Sequence, residues 1–131
     1  MSDDLVDAAR AVMGRAYAPY SNFHVGVALR APDGSIHVGA NVENAAYPQG
    51  QCAEASAIGA LIAAGCKRIT EVAVISDGDD FCVPCGGCRQ RLREFIVPGA
   101  EIHVCSSTGA RQTTTLDALL PRSFGPEFLP K

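Results

Sequence analysis

The sequence predicts an α/β sandwich built on a mixed β-sheet. Alternating apolar residues on either side of a turn, early in the chain, predict a β-hairpin. A mostly apolar helix follows, and the second half of the chain alternates strand-like with helix-like segments. A hairpin pairs its strands antiparallel, whereas strands joined through a helix pair in parallel, so a sheet that contains both is mixed.

The N-terminal part supplies one helix and the hairpin. The apolar face of the first helix consists of Leu5, Ala9, Val12 and Met13. The first hairpin strand shows period-two alternation at Phe23, Val25, Val27 and Leu29. The turn residues "APDGS" follow, and the alternation resumes at Ile36 and Val38.

The rest of the chain supplies the other layers. An apolar helix begins at about Cys52. After it, "EVAVISD" from Glu71 predicts a buried strand, "GGCRQRLREFI" a helix and "AEIHVCS" a second strand. A short helix around 116–120 precedes a proline-rich end.

Chain length and composition limit the number of domains and the kinds of partner that the protein can have. A chain of 131 residues and 13.7 kDa predicts a single domain over residues 1–131. With 11 Lys and Arg against 14 Asp and Glu, the chain lacks the positive charge expected of a nucleic-acid partner. The first ten residues do not resemble a signal peptide, and the longest apolar run is too short for a bilayer. We therefore expect a cytoplasmic protein with no membrane partner, whose six cysteines are reduced.

Four cysteines form a candidate metal site. "FCVPCGGC" places Cys82, Cys85 and Cys88 at two-residue gaps before a helix, and Cys52 lies at the head of the apolar helix. Helix N-termini favour thiolates. If all four cysteines bind a metal, the site is closed and structural. If only Cys52, Cys85 and Cys88 bind, one coordination position stays open for catalysis.

Glu54 favours the open site. It is the only charged residue between Gln51 and Cys66, and burying a carboxylate without a partner costs free energy. A closed structural site has no use for it, whereas water bound to a catalytic metal needs a nearby base. Of the other cysteines, Cys66, Cys82 and Cys105 are expected to be buried, inert thiols.

These motifs resemble a known family. "CAE" at 52–54 followed by "PCGGC" at 84–88 is similar to the zinc-dependent deaminase signature. The segments "YSNFHVGVAL", "NVENAAYP" and "SFGP" resemble those of the small, homotetrameric cytidine deaminases. The resemblance implies a three-layer α/β/α sandwich with a mixed, about five-stranded sheet. It also implies one Zn²⁺ per subunit and sites shared between the subunits of a homotetramer.

The resemblance also implies roles for individual residues. Zinc would be bound by Cys52, Cys85 and Cys88, with Glu54 as the catalytic proton shuttle. Substrate would be bound by Phe23 against the pyrimidine, by Asn41 and Glu43 at the ribose, by the backbone near Ala53 and Cys85, and by Phe124 of a neighbouring subunit. The residues alone leave other interpretations open. Asn41 and Glu43 also suit a solvated turn, and Phe23 and Phe124 also suit the core.

The implied reaction is hydrolytic deamination of cytidine and deoxycytidine to uridine and deoxyuridine, with release of ammonia, in pyrimidine salvage. Zinc-bound hydroxide would attack C4 while Glu54 moves the protons. A structural zinc module, a polynucleotide deaminase and a deaminase of a nucleoside antibiotic are the alternatives. One departure is that Ala55 stands where many members of the family have an arginine that offsets the thiolate charge. Helix N-termini and Arg89 are the candidates to replace it.

Overall fold

A five-stranded mixed sheet forms the middle layer in the computed structural model, which describes residues 2–130. The strands lie in the order β2-β1-β3-β4-β5, with β3 and β4 parallel and the other neighbours antiparallel. Their bounds are Val25–Arg30 for β1, Ile36–Ala40 for β2, Ile69–Ser76 for β3, Ile96–Cys105 for β4 and Arg111–Thr115 for β5. The mixed, five-stranded sheet is as predicted.

Helices cover both faces of the sheet and complete the predicted three layers. The α1 helix (Ser2–Met13) packs on one face, where Leu5 and Ala9 meet Ala28, Ala73 and Ile75. The other face is covered by α2 (Ala53–Ala63), α3 (Gly86–Phe95) and α4 (Leu116–Leu119). No helix within residues 2–130 combines the length and apolar character needed to span a membrane.

Two glycines set how closely the helices approach the sheet. A Cβ atom on Gly39 of β2 would lie 2.2 Å from the backbone nitrogen of Ala57 in α2. A Cβ atom on Gly26 of β1 would lie 2.1 Å from the backbone oxygen of Ala9 in α1. Only glycine permits such contact between backbones. Gly39 thereby fixes the position of α2, which begins at the candidate metal site.

The structure differs from the sequence-based elements mainly at β5. The strand "RQTTT" is polar throughout and lies at the edge of the sheet, so it lacks the apolar alternation that predicts strands. The neighbouring bounds also move. The β3 strand begins at Ile69 and not at the predicted Glu71. Ile96, which was predicted to end the helix, is instead the first residue of β4 and pairs with Ile69.

Candidate active site

Two helix N-termini converge on the candidate metal site. Cys52 caps α2 and Cys85 caps α3, both with extended backbone, and Cys88 lies in the first turn of α3. The sulfur atoms of these three residues lie within 4.8 Å of one another. Thiolates bound to one tetrahedral zinc ion at about 2.3 Å are roughly 3.8 Å apart, so this donor set fits zinc.

Cys82 lies outside that trio. It lines the adjacent cavity but is not part of the group of sulfur atoms that can share an ion. The expectation that Cys82 is buried is wrong, because its side chain is exposed, and Cys66 is only partly buried. Cys105 is buried as expected. All six cysteines are free of disulfides.

Glu54 lies beside the three thiols at the second position of α2. It is 5% exposed, and its carboxyl group hydrogen-bonds to the thiol of Cys88. Burial raises the pKa of the Glu54 carboxyl above its ordinary value. A carboxyl group whose pKa is raised holds a proton more readily than an ordinary carboxylate does, which suits general acid–base work.

The thiols themselves have unequal environments. The backbone N–H of Cys88 donates to the sulfur of Cys85, and this bond lowers the pKa of the Cys85 thiol. Burial raises the pKa of the Cys52 and Cys88 thiols, and the nearby Glu54 carboxylate adds to the shift. Thiolates at Cys52 and Cys88 therefore depend on a positive partner, which a metal ion would provide.

A cavity of about 270 Å³ opens directly above these groups. Its floor is made by Cys52, Ala53, Glu54 and Cys85. The rest of its lining consists of Ser21, Phe23, Val25, Asn41, Glu43, Val74, Cys82 and Val83. The structure thus brings together the candidate zinc ligands Cys52 and Cys85 with Glu54, Phe23, Asn41, Glu43 and Ala53.

The segment 41–43 is tied to the metal site by backbone hydrogen bonds. Val42 exchanges two bonds with Gln51, at 2.9 and 2.8 Å, directly before the candidate ligand Cys52. On the other side, the N–H of Tyr17 donates to the carbonyl of Asn41, and the N–H of Glu43 donates to the carbonyl of Tyr17. This pairing presents Asn41 and Glu43 on the same side, towards the cavity.

Both side chains also hold the loop that carries Phe23. The Asn41 amide accepts from the N–H of Val25 at 2.8 Å and donates to the carbonyl of Phe23 at 2.9 Å. The Glu43 carboxylate accepts from the N–H groups of Tyr20 and Ser21 and, in a short bond, from the Ser21 hydroxyl. These bonds lower the pKa of Glu43, and the bond from the Ser21 hydroxyl has the largest effect. Both side chains are partly buried and do not belong to a solvated turn. No sequence pattern singles out Ser21.

Phe23 and Phe124 differ in location. Phe23 is 37% exposed and lines the cavity, so the core interpretation is wrong for it. Phe124 is 53% exposed, stacks on Phe128 with ring centroids 5.8 Å apart, and does not line the cavity of its own chain. Its carbonyl accepts a hydrogen bond from the Gln90 amide of α3.

Two arginines of α3 that are close to Cys88 in sequence have different hydrogen-bond partners. Arg89 donates to the carbonyls of Pro84 and Leu119, both at 2.7 Å, and so fastens the cysteine loop to α4. Arg91 directs its Nη1 at the sulfur of Cys88, at 3.8 Å. Sequence reasoning considered Arg89 and missed Arg91, although a residue three positions after Cys88 lies on the same helix face.

Sequence comparison places the chain among known proteins. A family model described as the cytidine and deoxycytidylate deaminase zinc-binding region matches residues 1–103. A cytidine deaminase of Sporosarcina psychrophila is 36% identical over 127 residues, covering 97% of this chain and 93% of the relative. A cytidine deaminase of Mycobacterium tuberculosis is 38% identical over 125 residues, covering 95% and 90%.

Solved structures agree with the sequence comparison. The cytidine deaminase of Burkholderia pseudomallei superposes with a TM-score of 0.90 at 39% identity, covering 95% of this chain and 99% of that one. The cytidine deaminase of Mycobacterium leprae gives a TM-score of 0.77 at 43% identity, covering 92% and 98%.

Proposed function

The chain belongs to the zinc-dependent cytidine deaminases, and from that membership we propose that it hydrolyses cytidine and deoxycytidine to uridine and deoxyuridine with release of ammonia. The observation that carries the proposal is the buried carboxyl group of Glu54 beside three converging thiols, at the floor of a cavity. A base and a metal-binding trio at one point are what hydrolysis of an amidine-like C–N bond requires.

Zinc would be held by Cys52, Cys85 and Cys88, one ion in each subunit. Support comes from the convergence of these three sulfur atoms and from the position of Cys82 outside their group. Three protein ligands leave a fourth position open, which distinguishes a catalytic from a structural zinc site. When bound there, zinc acts as a Lewis acid that lowers the pKa of water from about 15.7 towards roughly 7.

Glu54 is the proton shuttle of this proposal. Its carboxylate would accept the proton that the attacking water releases and pass it to N3 of the cytosine ring. It would then take the proton of the hydroxyl group added at C4 and give it to the departing amino group, which leaves as ammonia. Helix α2 holds this carboxylate in place beside Cys88, so it needs little rearrangement between the steps.

The cavity walls would bind the nucleoside. Phe23 would offer an aromatic face to the pyrimidine, and the backbone at Ala53 and Cys85 would border the base, because all three residues line the cavity. Asn41 and Glu43 would bind the ribose 3′-hydroxyl. Their existing bonds to the 20–25 segment orient them in advance, and the Glu43 carboxylate, which accepts three such bonds, keeps a lone pair for a hydroxyl.

Assembly would complete each site. A cavity of about 270 Å³ is at the small end for a ligand site, and the exposed Phe124 ring is available to a neighbouring chain. We therefore infer a homotetramer in which Phe124 of one subunit reaches the base bound by another. The six free cysteines suit a reducing, cytoplasmic setting, and the reaction would serve pyrimidine salvage.

The reaction is tested with purified protein whose zinc content has been measured. Cytidine and deoxycytidine are incubated separately, and the loss of their ultraviolet absorbance is followed together with the ammonia released. We expect one equivalent of ammonia for each nucleoside consumed. Zinc-loaded protein that leaves both nucleosides unchanged would contradict the proposal. Growth of a pyrimidine auxotroph that lacks its own cytidine deaminase, on cytidine alone, tests the salvage role.

A further inference from the structure

Arg91 contacts one of the proposed zinc ligands from outside the cavity. Its Nη1 donates to the sulfur of Cys88 at 3.8 Å. A Cβ atom on Gly87 would lie 3.6 Å from the same nitrogen, so the guanidinium lies over the first turn of α3. Side chains of a helix lean towards its N-terminus, and this brings a residue at position 91 above positions 87 and 88.

The charge of the loaded site calls for such a cation. Three thiolates on one Zn²⁺ leave a net charge of −1, and the Glu54 carboxylate lies beside them. Two other arginines of α3 are engaged elsewhere, Arg89 with two carbonyls and Arg93 with Ser123 and Glu127. Among residues 2–130, Arg91 is the arginine whose guanidinium donates to a ligand sulfur.

We propose that Arg91 is a positioning residue that stabilises the Cys88 thiolate on zinc, through its N–H bond to the sulfur and its positive charge. The inference rests on the proposed zinc site. The guanidinium lies against the Cys88 sulfur, and the loaded site is negative. Its hydrogen bond and its charge therefore hold that sulfur in its ligand position and slow the loss of the ion.

The first measurement is zinc release to a chromogenic chelator in excess at neutral pH. Arg91→Gln keeps helix propensity and length but removes the charge. Partners of metal ligands typically contribute about 10–100-fold to metal affinity, and an exposed guanidinium should contribute less than a buried one, so we expect release about 3- to 10-fold faster. Arg68→Gln is the matched control, because it removes an exposed charge whose hydrogen bond goes to the backbone of Lys67.

The second measurement separates this role from helix packing. In protein loaded with cobalt instead of zinc, the sulfur-to-cobalt charge-transfer band reports directly on the ligand sulfurs. Loss of the N–H bond raises the energy of the sulfur electrons, so Arg91→Gln should shift this band to longer wavelength. Arg91→Lys keeps the charge and should recover most of the slow zinc release.

Three results would overturn the role of Arg91. One is zinc release from Arg91→Gln at the rate of Arg68→Gln, another is an unchanged cobalt band, and the third is release from Arg91→Lys as fast as from Arg91→Gln. Zinc content is determined before each experiment. Wild-type protein that binds no stoichiometric zinc would contradict the proposed zinc site itself, which keeps the two failures distinct.

Discussion

The buried carboxyl group of Glu54 does not help to stabilise the fold. It is 5% exposed in a helix of otherwise apolar and small residues, where a hydrophobic side chain would be more stable. Within residues 2–130, the side chain that hydrogen-bonds to Glu54 and so opposes the rise in its pKa is the thiol of Cys88. A carboxyl group retained at such a cost indicates a function.

Glu54→Gln should retain zinc and fold but lose nearly all turnover. The amide matches the carboxylate in shape and cannot carry a proton, and general acid–base catalysis is worth about 10²–10⁴ in rate. The measurement is kcat for cytidine alongside zinc content and circular dichroism. A variant with more than about a tenth of the wild-type kcat would refute the shuttle role, given that range.

The ligand set is tested by a pair of cysteine variants. Cys85→Ser should lower zinc content, because its sulfur belongs to the converging trio, whereas Cys82→Ser should leave zinc content unchanged. Both residues are exposed and belong to the same loop, so the second variant controls for disturbance of that loop. Metal analysis with the opposite result would point to a closed, structural site that uses Cys82.

Residues with unusual chemistry could be predicted from the sequence, and residues that act through geometry could not. Cysteine spacing and a lone carboxylate in an apolar helix identified Cys52, Cys85, Cys88 and Glu54 as a candidate site. Ser21 and Arg91 carry no such signal, because a serine in a loop and an arginine on a helix are common. Their positions depend on the tertiary fold, which sets Ser21 against Glu43 and Arg91 against Cys88.

At the level of elements, the close approach of α2 to β2 positions the site. Gly39→Ala would place a methyl group 2.2 Å from the Ala57 nitrogen and push away the helix that carries Cys52 and Glu54. We expect a loss of about 1–3 kcal/mol in the free energy of unfolding. Since a misplacement of about 1 Å can cost about 100-fold in rate, kcat should fall at least tenfold in the folded variant.

Gly26→Ala is the matched control on the opposite face of the sheet. Its methyl group would lie 2.1 Å from the Ala9 oxygen and displace α1, which carries none of the proposed site residues. We expect a similar loss of stability, measured by urea unfolding, with kcat of the folded protein within about twofold of wild type. Equal losses of kcat in the two variants would show that the position of α2 is not what the rate depends on.

The elements that the sequence predicts are those with one apolar face. The hairpin, β3 and β4 pack apolar side chains against helices, and α1 carries Leu5 and Ala9 inwards, so their patterns are visible in the sequence. The β5 strand packs few apolar side chains and forms through backbone pairing with β4, from Glu101–Thr115 to Cys105–Arg111. Backbone hydrogen bonds do not affect the side-chain pattern, so the pattern could not show where the fifth strand lies in the sequence.

For the molecule as a whole, the C-terminal segment presents more apolar surface than one chain can cover. Phe124, Phe128 and Leu129 are each more than half exposed, yet Arg93 holds this segment in place through Ser123 and Glu127. A fixed and exposed aromatic pair is typical of a protein interface. Since Phe124 does not reach its own cavity, we expect it to complete that of a neighbouring subunit.

Mixed oligomers test whether the site is shared. Phe124→Ala should impair catalysis, because stacking on the base contributes on the order of 0.5–1.5 kcal/mol beyond buried area. Glu54→Ala chains are inactive but keep Phe124. When the two variants are mixed and form verified hetero-oligomers, some sites combine an intact Glu54 from one chain with an intact Phe124 from the other. The rate for each Phe124→Ala chain, measured at increasing proportions of Glu54→Ala chains, should therefore rise towards that of wild type. A rate that stays constant across verified mixtures would mean that Phe124 acts only within its own subunit.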